Sequence, residues 1–205
     1  MSEANVGLRK LLYLPWVYST FQWAVGAKKY RRVLVEEFIR PQPGETILDI
    51  GCGTGEIVDS LKGCTYIGFD ANPGYIETAQ RLRKGDCTFH CSRVSEANVS
   101  ALGTFDAVLA MSVIHHLDDD EAEQLFAIAK KVVKPGGRLI TIDPCYSDDQ
   151  DRLRKWMVGQ DRGQNVRHRD RYIELAHQQF PNVRSAVRHD LLILPYSFCA
   201  LECRL

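Results

Sequence analysis

The stretch "ETILDIGCGTG", Glu45–Gly55, constrains this chain more than any other. A short apolar run closes on Asp49, and glycine then takes every second position. Such a run bounded by turn residues reads as a strand buried on both faces. A glycine-rich turn directly behind a strand lets a ligand approach bare backbone, because no Cβ stands in the way. The chain must therefore place this strand inside a sheet and leave its carboxyl end accessible.

Downstream, strand and helix patterns alternate. Ile47–Ile50 is the first strand, and Glu56–Lys62 a short helix closed by Gly63. "CTYIGFD" is a second strand ending at Asp70. "PGYIETAQRLRK" is a helix opened by proline and ended by Gly85. "CTFHC" and "FDAVLAM" read as the third and fourth strands. "DDDEAEQLFAIAKKVV" is acidic where a helix dipole is positive and basic where it is negative. "KPGG" then turns the chain into "RLITID", a fifth strand. This rhythm predicts a parallel sheet wound on both faces. After Asp143 it changes to a polar helical insert, followed by "NVRSAVRHDLL" and "YSFCALECRL", which predict an antiparallel edge pair. With 205 residues and no repeat or linker, the sequence predicts one domain over 1–205. Its parts are an N-terminal helical lid (1–40), a ligand-binding core (44–143), a helical insert (147–179) and a C-terminal strand pair (182–205).

In a doubly wound sheet, ligands sit beyond the carboxyl ends of the strands where the winding reverses. A dinucleotide turn has the spacing G-x-G-x-x-G. Here Gly51, Gly53 and Gly55 give G-x-G-x-G, with Asp49 ahead of them. A carboxylate there repels a pyrophosphate and attracts an ammonium group. Asp70, ending the next strand, can accept hydrogen bonds from two vicinal ribose hydroxyls. A ribose, a cationic amino-acid tail and no phosphate describe S-adenosylmethionine.

The block "LDIGCGTG … YIGFDANPGYIETA … FDAVLAMSVIHHL … VKPGGRLITID" resembles the class I S-adenosylmethionine-dependent methyltransferases, over about residues 44–143. The resemblance implies a Rossmann-like seven-stranded sheet, mostly parallel, with its last strand antiparallel, and S-adenosylmethionine as cofactor. It implies that Asp49, Gly51, Gly53 and Gly55, with Cys52 beside them, meet the methionine moiety. Asp70, followed by Ala71, meets the ribose, and Ala110 and Met111 line the adenosyl group. The family often has Asp after the third strand to bond the adenine amine. Here Ser92 stands there, followed by Arg93, so Ser92 and a backbone amide are the expected readers of the ring.

Methyl transfer from a sulfonium is an in-line displacement in which positioning does most of the work. An acceptor hydroxyl also needs its proton removed, which a histidine can do near neutral pH. His115 and His116 follow the fourth strand on the ligand side and are the candidate bases. The competing view is that one imidazole ties the loop to the next helix, and His116 is the one expected to do so. The Asp/Asn-Pro-Pro-aromatic motif of amino-methylating enzymes is missing from the place after the fourth strand. "IDPCY" follows the fifth strand instead. The magnesium-holding aspartates of catechol-type enzymes are incomplete, since Ser112 stands where an acid is wanted. A metal-independent enzyme acting on a small molecule is the expectation. Tyr13, Trp16 and Tyr18, with Phe21 and Trp23, are candidates for an apolar lid over an aromatic or lipid-like acceptor. The arginine-rich stretch Arg154–Tyr172 is a candidate for holding an anionic one.

A formal net charge of zero gives no global pull toward nucleic acid or an anionic membrane, and no nucleic-acid partner is expected. Seven scattered cysteines without a C-x-x-C pair predict reduced thiols in the cytoplasm. Cys87, His90 and Cys91 do not converge in a strand, so no metal is expected. The apolar run within Leu8–Arg32 is broken by Pro15, Ser19, Thr20 and Gln22 and reads as helices packed on the domain. A leader peptide and a membrane-surface helix are the alternatives. For the function, the alternatives are a non-catalytic S-adenosylmethionine sensor or scaffold and an NAD-dependent oxidoreductase, the latter disfavoured by the glycine spacing.

Overall fold

The computed structural model describes residues 26–161 and 163–205. Tyr13, Trp16, Tyr18, Phe21 and Trp23 lie outside the described residues. Among those described, the strands are β1 (Thr46–Ile50), β2 (Thr65–Asp70), β3 (Cys87–Cys91), β4 (Phe105–Met111), β5 (Val133–Tyr146), β6 (Arg167–His168), β7 (Asn182–Arg188) and β8 (Phe198–Arg204). The helices are α1 (Ala27–Val33), α2 (Pro73–Leu82), α3 (Glu96–Ser100), α4 (Asp119–Val132), α5 (Arg152–Val158) and α6 (Arg169–His177). A wider π-helical turn, Leu34–Ile39, continues α1, and 3-10 turns occupy Glu56–Ser60 and Ile114–His116.

The sheet runs in the order β3-β2-β1-β4-β5-β8-β7, with two-residue β6 pairing off β5. The β1/β2, β1/β4, β2/β3 and β4/β5 pairs are parallel, and β8 is antiparallel to both β5 and β7. The winding reverses between β1 and β4, so a crevice opens beyond their carboxyl ends. This is the mixed sheet the sequence predicts, with β7 and β8 as the antiparallel pair at its C-terminal side and two-residue β6 as an eighth strand beyond the seven expected. β8 is an interior strand, and β7 forms the edge. The burial of β8 explains the placement: five of its seven residues are buried, as suits a strand flanked on both sides.

Each face of the sheet has its own apolar cluster. Leu48, Ile50, Val108 and Ala110 pack against Phe126 and Ala129 of α4 and Tyr172 and Leu175 of α6. Ile47, Ala107, Leu109 and Ile140 pack against Leu34 and Ile39, and against Ile76 and Ala79 of α2. Neighbouring residues of β4 thus alternate between faces from Ala107 onward. Phe105 breaks the alternation because the β4/β5 register shifts between Phe105 and Ala107. The partners jump from Val133 to Arg138, so "KPGG" is a bulge inside a continuous strand rather than a turn ahead of it.

Capping follows the sequence closely. Asn72 accepts from Gly74 N and Tyr75 N ahead of Pro73, and Asp118 forms a reciprocal capping box with Glu121. The expected helix after the glycine turn is only a 3-10 turn. Its N-cap, Gly55, is left-handed and offers no side chain, and the segment between Gly55 and Gly63 is too short to repay helix nucleation. At the opposite end of the sheet, Arg138 donates to Ile39 O (2.9 and 2.6 Å) and pairs with both oxygens of Glu45 (2.8 and 2.9 Å). It closes the exposed carbonyl end of the N-terminal helix onto β5.

Candidate active site

The site is built from acids that end parallel strands. Asp49 stands next to last in β1 and is 1% exposed. The Tyr66 hydroxyl, on neighbouring β2, donates to Asp49 Oδ2 at 2.6 Å. Asp49 Oδ1, equally buried, has no hydrogen-bond partner. Burial pushes the Asp49 carboxyl up to about 7, and nearby Asp70 adds to the rise against the pull of Tyr66. Asp70 ends β2 and folds over the turn: its Oδ2 accepts from Gly53 N at 2.9 Å and its Oδ1 from Asn72 N at 2.8 Å.

Between these acids the backbone turns sharply. Gly51 N and Cys52 N both donate to Phe69 O, at 2.8 and 2.9 Å. Gly51 has φ +75°, and a Cβ there would lie 2.5 Å from Val113 Cγ2. The segment leaving β4 therefore packs directly on bare backbone. Gly53, at φ +55°, has open space where its Cβ would be. Gly55 lies against the Phe89 ring, and Arg83 donates to Thr54 O at 3.1 Å, fixing the far limb of the turn. The Cys52 thiol feels both carboxylates; burial first, then Asp49 and Asp70, push it far above the usual thiol range.

The other predicted cofactor residues occupy the expected strand ends. Ala71 is exposed beside Asp70, and Ala110 and Met111 close β4, Ala110 fully buried. Ser92 is half-buried after β3, its hydroxyl 3.5 Å from Asn98 Nδ2. Arg93 is exposed and turns toward Glu121 on α4, 3.4 Å away, rather than over the turn.

The histidines differ from expectation. His115 is the buried member, 4% exposed, while His116 is exposed. Asp143, near the end of β5, accepts from His115 N (3.1 Å) and lies 2.7 Å from His115 Nδ1. His115 Nε2 lies 3.3 Å from Asp161 Oδ1. Asp161 in turn receives the Tyr196 hydroxyl. His115 is thus held to β5 through both its backbone N–H and its ring, by Asp143.

Tyr66, Arg83, Asp143, Asp161 and Tyr196 are absent from the sequence-based site. Asp143 carried a usable signal, since the pattern "RLITID" closes on it as "CTYIGFD" closes on Asp70. Tyr66, Asp161 and Tyr196 depend on contacts between distant segments that no local pattern announces. Among the described residues, no group of three or more His, Cys, Asp or Glu side chains is placed to hold a metal ion.

Residues 47–137 match the family model described as "Methyltransferase domain". This core segment is a methyltransferase domain, similar to those of class I S-adenosylmethionine-dependent methyltransferases. A ubiquinone biosynthesis O-methyltransferase from Brucella anthropi is 35% identical over 102 residues, covering 48% of this chain and 40% of the relative. A tRNA U34 carboxymethyltransferase from Edwardsiella ictaluri is 26% identical over 171 residues, covering 75% of this chain and 52% of the relative. The chain thus spans about half the length, or less, of these two relatives. Among solved structures, human N-acetylserotonin methyltransferase in complex with S-adenosylmethionine aligns with a TM-score of 0.61 at 20% identity, over 86% of this chain and 52% of that one. A Haemonchus contortus phosphoethanolamine N-methyltransferase aligns with a TM-score of 0.71 at 14% identity, over 96% and 58%. These two likenesses concern the fold.

The residues present fit the methyltransferase cofactor. The orphaned Asp49 Oδ1 needs a donor, which the ammonium of the methionine moiety has. The open flank of Gly53 leaves room for that moiety against backbone. Asp70 ends the neighbouring strand, and each of its oxygens keeps a lone pair beyond the bond it accepts from Gly53 N or Asn72 N.

Proposed function

We propose that this chain transfers a methyl group from S-adenosylmethionine to a small-molecule acceptor without a metal ion. The observation that carries the reading is the Asp49 carboxylate: buried, half-satisfied by Tyr66, and opening onto a glycine turn with no phosphate-binding spacing. A buried carboxylate with an unused oxygen is costly unless a donor arrives. Bound there, S-adenosylmethionine supplies a methyl carbon already attached to a good leaving group. The protein's own work is alignment. Asp49 and Asp70 fix the two ends of the ligand, and the Val113 contact with Gly51 keeps the His115 turn at a set distance from it.

A small acceptor is supported by the ubiquinone O-methyltransferase relative and by the missing amino-methylation motif after β4. The tRNA-modifying relative, which matches more of the chain, favours a nucleic-acid acceptor as the second reading. The balanced formal charge speaks for the first. Calorimetry with S-adenosylhomocysteine tests the core of the proposal. Wild type is expected to bind in the micromolar range, and Asp70→Ala to lose most of that affinity. Unchanged binding in the variant would remove Asp70 from the site and the reading with it. Screening hydroxylated aromatic pools and tRNA for methyl incorporation from labelled cofactor then separates the two acceptor classes.

A further inference from the structure

Only a 3-10 turn follows the glycine turn, so something other than a helix must hold its far limb. Gly55 N donates to Cys52 O at 3.0 Å and closes a β-turn, with Gly53, at φ +55°, in its first central place. Gly55 is itself left-handed and caps Glu56–Ser60 without a side-chain bond. Two left-handed glycines around one threonine leave this limb with much backbone freedom to lose on ordering.

The hold comes from Arg83, the residue that ends α2. Its Nε donates to Thr54 O at 3.1 Å, and its Nη1 donates to Asp59 Oδ2 in the 3-10 turn. The arginine side chain is 13% exposed. A Cβ on Gly55 would lie 2.6 Å from Phe89 Cε1 and 3.3 Å from Arg83 Cγ. The space that a side chain would take at Gly55 is therefore filled by Phe89 and the arginine stem, not left to a ligand. Because the peptide is planar and trans, holding Thr54 O on one side points Gly55 N–H to the other, toward Cys52 O. The opposite end of α2 grips the same turn. Asp70 Oδ1 accepts from Asn72 N, the α2 N-cap, at 2.8 Å, and Asp70 Oδ2 accepts from Gly53 N at 2.9 Å. Gly53 and Thr54 are thus held from the two ends of one ten-residue helix, whose Ile76 and Ala79 are buried in the core. That helix is a strut about 15 Å long.

We propose that Arg83 is a positioning residue for S-adenosylmethionine: through Thr54 O it sets the turn, so that Gly53, whose flank is open, meets the ligand in register with Asp70. The inference rests on the methyltransferase reading and deepens it. Arg83 lies outside the motifs that carry the family resemblance, and it acts through backbone. Without the guanidinium, Thr54 O is left to water and the Thr54–Gly55 peptide regains freedom. Binding must then order that peptide again, and affinity falls by the cost of doing so. Folding depends on the arginine less, because its charge partner Asp59 is 62% exposed and such pairs contribute little.

The test pairs calorimetry with S-adenosylhomocysteine and nitrogen NMR on glycine-labelled protein. Arg83→Met keeps the stem and removes the donors. It is expected to bind S-adenosylhomocysteine about tenfold more weakly. In the ligand-free protein it should also shift the Gly55 amide signal and speed its hydrogen exchange. The Gly51 amide, held by Phe69 O at 2.8 Å, should stay in place. Arg83→Lys restores a donor and is expected to recover most of the lost affinity. Asp59→Asn removes the charge partner but leaves the bond to Thr54 O, and should bind within about threefold of wild type, whether or not Arg83→Met folds. A merely structural arginine would lower the urea midpoint and leave the affinity of the folded protein unchanged. Arg83→Met binding as tightly as wild type, Arg83→Lys binding as weakly as Arg83→Met, or a tenfold loss in Asp59→Asn overturns the proposal. Failure of wild type to bind S-adenosylhomocysteine defeats the methyltransferase reading instead, and the Gly55 amide then still judges whether Arg83 sets the turn.

Discussion

Tyr66 donates its hydroxyl to Asp49 Oδ2 at 2.6 Å, while Oδ1 of the same buried carboxylate receives nothing. The two residues sit on neighbouring parallel strands, and Tyr66 is almost wholly buried. The bond stabilises the charged form of Asp49 in a place where burial opposes charge. Cofactor affinity should therefore depend on pH through this one carboxyl, which is raised to about 7. A cationic group binds the ionised form, so affinity should rise with pH and level off above about 7. Below that it should weaken by up to about tenfold per pH unit. Calorimetric titrations with S-adenosylhomocysteine between pH 5.5 and 8.5 measure the slope, and Asp49→Asn should flatten it. Tyr66→Phe removes a hydrogen bond to a charged group worth about 1.5–3 kcal/mol. It should move the midpoint upward by about 1–2 pH units.

The same carboxyl affects folding with the opposite sense. Between about pH 4 and 7 the folded chain holds a proton that the unfolded chain has released. Its contribution to stability is therefore greatest at the acid end and falls as pH rises through that window. Urea midpoints of wild type and Asp49→Asn, compared across the window without ligand, should diverge toward pH 7, with the variant becoming relatively more stable.

Gly51→Ala tests the join between the glycine turn and the segment after β4. The new methyl group would lie 2.5 Å from Val113 Cγ2, on a residue with φ +75°. Clash and backbone strain together should cost about 2–4 kcal/mol, read from urea unfolding. Val113→Ala in the same chain should recover the steric share only, because the left-handed backbone persists. Full recovery would mean that the turn tolerates a side chain at this φ.

Cys52 has the look of a reactive thiol at a binding turn, yet its surroundings make it inert. Burial and the neighbouring Asp49 and Asp70 carboxylates all oppose the thiolate. Under iodoacetamide at pH 8, exposed Cys91 should be alkylated while Cys52 stays unmodified, as peptide mass mapping would show. Asp70→Asn should speed labelling at Cys52, since it removes one of the opposing charges. Rapid labelling in wild type would contradict this picture of the site.

What the sequence made legible was whatever is local. The order of strands and helices, the reversal between β1 and β4, and the strand-end acids Asp49 and Asp70 follow from short patterns and one turn. The C-terminal pair was legible as strands, while the charge at Glu202 in "FCALECR" needs partners from elsewhere in the chain. In the structure Glu202 pairs with Arg40 and Arg204, which lets it sit in an interior strand. The burial of His115 rather than His116 was invisible for a similar reason. Adjacent histidines are equivalent in a pattern, and only the distant Asp143 and Asp161 tell them apart. The same holds for Tyr66, an aromatic residue in a buried strand until Asp49 is seen beside it.

Arg138 offers a prediction far from the chemistry. It is 7% exposed, and its guanidinium joins Ile39 O, Arg40 O and both oxygens of Glu45. Arg138 also pulls the Glu45 carboxyl below its ordinary range, although partial burial acts the other way. Arg138→Met keeps much of the side-chain volume but leaves the Glu45 charge and the helix-end carbonyl without their partner. Breaking a buried pair from one side typically costs about 3–5 kcal/mol. Some discount is due here, because Glu45 still has Gln42 N at 3.0 Å. A loss of about 2–4 kcal/mol in urea unfolding is the expected result. The Glu45 share depends on pH: because its folded carboxyl lies below the unfolded one, its contribution is present above the unfolded value and fades as pH falls through the folded one. The gap between wild type and Arg138→Met should accordingly narrow below about pH 4. Arg138→Met combined with Glu45→Gln should cost less than the two single changes added together, since the uncompensated charge is gone. Cofactor affinity should stay within twofold in all of these variants, because the pair lies at the end of the sheet opposite Asp49 and Asp70.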